Sequence, residues 1–213
     1  MKPRLLDLFC GAGGAAMGYH RAGFDVVGVD IRPQPNYPFE FIRDDALEYL
    51  HWLVAGSGGP CWLEDFAAIH ASPPCQHYAN VTRWRGAQSE HPDLIAPTRG
   101  PLQATGLPWV IENVRTRELR ADFMLCGTAL GLPVRRHRYF ETNWSGLVMS
   151  TPCQHRPSDY SFDHGGKQPE SVYRDAMGCD WMTVEESREA IPPAYTELIG
   201  HQLMQHVKAR RAA

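Results

Sequence analysis

The sequence contains no run of the roughly 18 apolar residues that a membrane-crossing helix needs, so no membrane partner is expected. No secretory signal is expected either, because Lys2, Arg4 and Asp7 interrupt the first residues before an uncharged core could form. A cytoplasmic protein is the expectation. No internal repeat and no low-complexity tract is present, which sets aside fibrous and disordered classes. The six cysteines (Cys10, Cys61, Cys75, Cys126, Cys153, Cys179) lack paired spacing in a chain large enough to fold without staples, so they read as reduced thiols. An excess of positive charge is also absent: the formal net charge of -3 argues against a surface that is basic all over. Between Arg83 and Arg138, however, nine arginines stand against five acidic residues. These are either ordinary solvated charges or one basic face on an acidic protein.

What is present is a globular composition, 43% hydrophobic and 21% charged, over 213 residues, which fits a single domain spanning 1–213. Residues 4–9 (RLLDLF) form a short apolar run, followed by GAGG at 11–14, a helical stretch, and DVVGVD at 25–30. That order of strand, glycine turn, helix and strand opens a parallel α/β sheet. FAAIHA at 66–71 and PWVIE at 108–112 read as further buried strands. Strands alternating with helices at this spacing predict a doubly wound, mostly parallel sheet whose ligands gather at the carboxyl ends of the strands. The stretch from Thr151 to Gln168 breaks the pattern and reads as irregular. Pro192 and Pro193 start a final helix running through Ile199 and Leu203.

Gly11, Gly13 and Gly14 sit between strand and helix, where backbone amides can approach an anionic ligand group, although many tight turns look the same. Asp30, ending the second strand, suits ribose hydroxyls. Asp45 could reach an adenine amino group or simply cap the helix beginning ALEYL. Ser72-Pro73-Pro74-Cys75-Gln76 follows a buried strand directly, and two prolines stiffen the chain so that the Cys75 thiol is displayed at the mouth of the sheet. Nearby arginines are expected to lower its pKa and make it a nucleophile. Glu112 ends another strand, so the same geometry brings a carboxyl group to the same edge.

DLFCGAGG, the acid of VGVD, SPPCQ, IENV, the RRHR cluster and the terminal IPPAYTELIG occur in the order seen in the cytosine carbon-5 DNA methyltransferases, and the chain resembles that family over about residues 4–146 and 189–207. The resemblance implies the S-adenosylmethionine-dependent methyltransferase fold. It implies S-adenosylmethionine held by Phe9, Gly11, Gly13, Gly14, Asp30, Ile31, Asp45, Ala46, Pro74, Gly200 and His201. It further implies Cys75 as the nucleophile that adds to carbon 6 of a cytosine flipped out of DNA, Glu112 as the acid at ring nitrogen 3, and Arg136 and Arg138 beside them. Carbon 5 of cytosine is too electron-poor to take a methyl group unaided, which is why a thiol and an acid are needed.

Two positions depart from the family pattern: Val134 stands where a glutamine opens the arginine motif, and His201 where an asparagine follows the last glycine. The interval 142–190 is a short variable insert where a full target-recognition domain is usual, so a relaxed target preference or a partner chain for recognition is expected. Small methyltransferases of this pattern resemble those carried by bacterial viruses. Cys153, His155, His164 and Cys179 lie in the insert, but their spacing matches no standard finger, and no metal is expected. Tyr78, Trp84 and Arg85 are read as a loop that closes over DNA. Two rival functions keep the same motifs: identical chemistry on RNA, and a non-catalytic relative that binds cofactor or DNA.

Overall fold

The computed structural model describes residues 2–56, 60–78, 92–146, 151–161 and 170–212. Trp84, Arg85 and His164 lie outside the described residues. The strands are β1 (Arg4–Leu8), β2 (Asp25–Asp30), β3 (Glu40–Arg43), β4 (Phe66–Ala71), β5 (Trp109–Asn113), β6 (Phe123–Cys126) and β7 (His137–Thr142). The helices are α1 (Gly14–Arg21), α2 (Ala46–Ala55), α3 (Ile95–Ala104), α4 (Glu170–Met177), α5 (Val184–Glu189) and α6 (Pro193–Ala212). One sheet has the order β3-β2-β1-β4-β5-β7-β6, with β7 antiparallel to both of its neighbours and the other pairings parallel.

The strand sequences explain why the sheet is covered on both faces. Leu5, Val26 and Ala68 belong to a core shared with Tyr19 of α1 and Tyr195, Ile199 and Leu203 of α6. Their neighbours Leu6, Leu8, Val27, Val29 and Ile69 belong to a second core with Tyr49 and Leu50 of α2 and Ile95 and Leu102 of α3. Alternate residues of one strand therefore feed opposite cores, and near-continuous apolar runs result.

β1 stops at Leu8 rather than at residue 9, because Phe9 turns into the left-handed region at φ 58°. β6 and β7 carry no strand signal in the sequence: FMLC is only four residues long, and HRYFET begins within the arginine cluster. Segment 151–161 is irregular apart from a bridge between Val134 and Tyr160.

α1 and α6 pack closely because small residues line their contact. A methyl group at Gly18 would overlap the Pro193 carbonyl oxygen and the Thr196 hydroxyl. Thr196 Oγ1 donates to the Ala15 carbonyl across the same seam at 2.8 Å. Gly18→Ala should lower the melting temperature: an overlap with backbone costs about 1–3 kcal/mol, more than the roughly 1 kcal/mol gained from helix propensity. Thermal unfolding followed by circular dichroism checks this, and an unchanged or higher midpoint contradicts the packing argument.

Candidate active site

Parallel strands send their carboxyl ends to one edge, so the segments after β1, β2, β4 and β5 meet there. β7 runs the opposite way, and its beginning lies at the same edge. Glu112 pairs with Phe140 and Asn113 with Tyr139, which places Arg138 just past the end of β5. Glu112 and Arg138 are diagonal neighbours on that ladder, within reach of long side chains. Arg138 Nε lies 2.8 Å from Glu112 Oε1, and the two side chains are 13% and 5% exposed. The contact is an ion pair without hydrogen-bond alignment, so Glu112 Oε1 has no hydrogen-bond partner among the described residues.

The Ser72–Cys75 segment is pinned from beneath. Asn113 Nδ2 donates to the Pro73 carbonyl at 2.8 Å, and Ser72 N donates to the Leu8 carbonyl at 3.1 Å. A buried hydrogen-bond chain supports Glu112: Tyr19 Oη is 3.0 Å from His70 Nδ1, His70 Nε2 is 2.7 Å from Ser72 Oγ, and the Ser72 hydroxyl bonds to Glu112. Burial drives the His70 pKa down to about 3, so the ring is neutral at physiological pH. The tautomer with the proton on Nε2 lets Tyr19 donate to the ring, the ring to Ser72, and Ser72 to the carboxyl group.

The edge opens as a cleft of about 690 Å³ with two chemically different ends. At one end stand Cys75, Glu112, Arg136 and Arg138. Cys75 is half-buried, and desolvation pushes its thiol above the ordinary value; Arg138 and Arg136 pull it back while Glu112 pushes it up. The expected lowering by arginines is therefore overridden by burial. Glu112 is likewise raised by burial, against the pull of Arg138, Arg136 and the Ser72 bond. Arg136 is braced by hydrogen bonds to Tyr173 Oη and to the Arg188 carbonyl, both at 2.9 Å. Tyr195 Oη donates to the Arg136 backbone carbonyl.

At the other end stand Phe9, Gly11, Gly14, Asp30, Ile31, Asp45 and Ala46. Gly13 caps α1 at φ 85°, a conformation only glycine takes without strain, and its amide donates to the Cys10 carbonyl. Asp30 accepts from the amides of Gly11 at 3.0 Å and Arg32 at 2.9 Å, which fixes its carboxylate at the cleft wall. Asp45 both lines the cleft and caps α2, accepting from the amides of Leu47 and Glu48. Ile31 is 61% exposed, an apolar surface at the rim. Pro74, next to Cys75 in the chain, also lines the cleft.

Three of the residues expected at the cofactor end do not line the cleft. Gly13 shapes the turn instead, where a methyl group would press on Pro38 and Tyr37. Gly200 is buried in the α1–α6 seam, where a Cβ would come within 2.7 Å of the Ala22 methyl, and His201 is exposed on α6. Within the final motif, Gly200 therefore serves helix packing, while Ile191 at its start lines the cleft.

Conversely, the cleft includes residues that carried no signal for it. Asp7, fully buried in β1, has two carboxylate oxygens without hydrogen-bond partners among the described residues, and desolvation together with Asp30 raises its pKa well above the ordinary range. Glu185, Glu186 and Glu189 reach the cleft from α5. The capping box of Thr183 and Glu186 marks the start of that helix, and Asn36 Nδ2 ties it down through bonds to both Glu186 oxygens at 3.2 and 3.0 Å.

No protein family and no curated protein sequence matches the chain. Solved structures do. The methyltransferase EhMeth of Entamoeba histolytica aligns over 97% of this chain and 99% of its own, at 11% identity and a TM-score of 0.59. A DNA modification methyltransferase encoded within an Escherichia coli prophage aligns over 65% of this chain, at 22% identity and a TM-score of 0.43; the match spans 45% of that protein's length. DNMT2 of Spodoptera frugiperda aligns over 82% of this chain and 65% of its own, at 19% identity and a TM-score of 0.47. With its seven-stranded, mostly parallel sheet and flanking helices, the chain has the Rossmann-like fold of the methyltransferases.

Proposed function

We propose that the chain transfers a methyl group from S-adenosylmethionine to carbon 5 of cytosine in DNA, with Cys75 as the nucleophile. One observation carries this reading: a thiol, a buried acid ion-paired with Arg138, and a second arginine share one cleft with a glycine turn and three buried or half-buried acids.

The acidic end fits the cofactor's chemistry. Asp7 is a buried carboxyl group without a hydrogen-bond partner among the described residues, which suits an ammonium or sulfonium nearby. Asp30 retains lone pairs that would accept from ribose hydroxyls, Asp45 would accept from the adenine amino group, and the exposed Ile31 would offer an apolar surface to the adenine ring. S-adenosylmethionine, when bound there, supplies an electrophilic methyl group.

At the other end, the Cys75 thiol gives its proton to water and Sγ bonds to carbon 6 of the base while Glu112 delivers a proton to ring nitrogen 3, which turns carbon 5 into a nucleophile. Carbon 5 takes the methyl group with release of S-adenosylhomocysteine, its proton passes to water, the bond to Cys75 breaks to return the thiolate, the ring regains its 5,6 double bond, and nitrogen 3 returns its proton to Glu112. The raised pKa of Glu112 keeps a proton available for that role. Arg138 holds the Glu112 carboxyl group in place and offsets negative charge at the thiolate. A stacked base cannot reach this cleft, so the cytosine is flipped out of the duplex. The short insert at 142–190 leaves room for a partner chain in sequence recognition.

Incubation with labelled S-adenosylmethionine and duplex DNA, followed by digestion and nucleoside mass spectrometry, should yield 5-methylcytosine. Matched RNA run in parallel assigns the polymer: label in RNA alone would move the substrate. Absence of label in both, with cofactor binding intact by calorimetry, would overturn the reading.

A further inference from the structure

We infer that the chain holds a structural zinc ion at Cys126, His137, Cys153 and His155. The inference is independent of the proposed methyl transfer. One ligand atom from each of these residues lies within 4.8 Å of the other three. Cys126 Sγ is 3.4 Å from His155 Nε2, and the His137 and His155 rings are 5.1 Å apart, tilted by 34°. Bond lengths of about 2.3 Å to sulfur and 2.0–2.1 Å to nitrogen place tetrahedral ligand atoms roughly 3.3–3.8 Å apart. The widest pair therefore has to close by about an ångström.

The backbone prepares both halves of the set. Cys126 and His137 are direct partners on the antiparallel β6–β7 ladder, so their side chains leave the same face side by side. Cys153 and His155 are two residues apart in an irregular segment, the spacing that puts side chains on one side of an extended chain. Two thiolates and two imidazoles form a closed donor set for zinc, with no position left for substrate. Thr128 Oγ1 lies 3.3 Å from Cys126 Sγ and can donate to the thiolate as an outer-sphere partner.

The surrounding chain shows what the ion would do. Residues 151–158 contain no large apolar side chain, and all but the half-buried Cys153 are exposed, so burial does little to offset the entropy of ordering them. The segment is nevertheless laid against the sheet edge: Thr151 Oγ1 donates to the Ala129 carbonyl at 2.9 Å, Tyr160 N donates to the Pro133 carbonyl at 2.8 Å, and Arg135 N donates to the Tyr160 carbonyl at 2.7 Å. A four-ligand metal replaces the missing core. His137 stands between Arg136 and Arg138, so the same ion fixes the strand that carries both arginines into the cleft.

Cys153 and His155 were read with His164 and Cys179 from their position in the insert. Cys179 belongs elsewhere. It is fully buried with Met177, Met182 and Val134, and burial pushes its thiol up to about 12. The partners are Cys126 and His137, outside the insert, which sequence proximity could not show.

Full-length protein dialysed against buffered zinc and freed of excess metal should retain one zinc per chain by plasma mass spectrometry. Cobalt in place of zinc should give thiolate charge-transfer bands in the near ultraviolet and strong tetrahedral bands in the visible. Thr128→Val should weaken zinc binding by about 10–100-fold, as loss of an outer-sphere partner does, and Cys153→Ser and His155→Gln by at least as much, each with its helix content retained by circular dichroism. Substoichiometric zinc in the wild type, a cobalt spectrum without thiolate bands, or unchanged affinity in Cys153→Ser and His155→Gln would each overturn the site.

Discussion

Cys75→Ala is expected to abolish methyl transfer, because removing the nucleophile of a covalent mechanism costs on the order of 10⁶-fold in kcat. In the proposed mechanism the half-buried thiol bonds to the base and not to the cofactor, so affinity for S-adenosylmethionine should be unchanged. An oligonucleotide bearing 5-fluorocytosine separates this from a general loss of fold. Its carbon 5 cannot release a proton, so wild type should accumulate a covalent adduct mapped to Cys75 by peptide mass spectrometry, and Cys75→Ala should form none. An adduct at another residue, or turnover that survives in Cys75→Ala, removes Cys75 from the reaction.

Glu112→Gln should lower kcat by about 10²–10⁴-fold, the usual worth of a positioned general acid. The substitution keeps the shape of a side chain that is 5% exposed but removes both its proton and its charge. Its effect on Cys75 has a definite sign. Burial raises the Cys75 pKa, Arg138 and Arg136 lower it, and Glu112 raises it. Without the carboxylate, the thiol should titrate at lower pH, so the rate of iodoacetamide alkylation against pH should shift towards acid in Glu112→Gln. In Arg138→Ala the same curve should shift towards alkali. Because that variant also leaves a buried acid without its partner, it should lose about 3–5 kcal/mol of stability, readable by urea unfolding. Alkylation curves that coincide in all three proteins would show that the three groups do not share one electrostatic environment.

The shared environment follows from strand direction. β5 and β7 run antiparallel, so a residue near the end of one faces a residue near the start of the other, twenty-six positions later in the chain. The sequence offers Glu112 as the last acid of an apolar strand and Arg138 as one of several arginines, and nothing local pairs them. The β6–β7 hairpin likewise places Cys126 opposite His137.

The sequence alone determined four of the five parallel strands, β1, β2, β4 and β5 but not β3, since β2 and β4 are apolar runs bounded by turn residues whose limits can be read directly. It also determined the glycine turn, the proline-stiffened display of Cys75 and the final helix, because each depends on residues that restrict their own backbone. Local chemistry could not specify which groups become neighbours across the sheet. The buried Asp7, the reach of α5 into the cleft, the packing role of Gly200 and the meeting of Cys126 with His155 all depend on contacts between segments distant in the chain. The same holds for the raised pKa of Cys75: arginines nearby in sequence argue for a lower value, but desolvation is a property of the folded surroundings, and only the closed cleft decides which effect is larger.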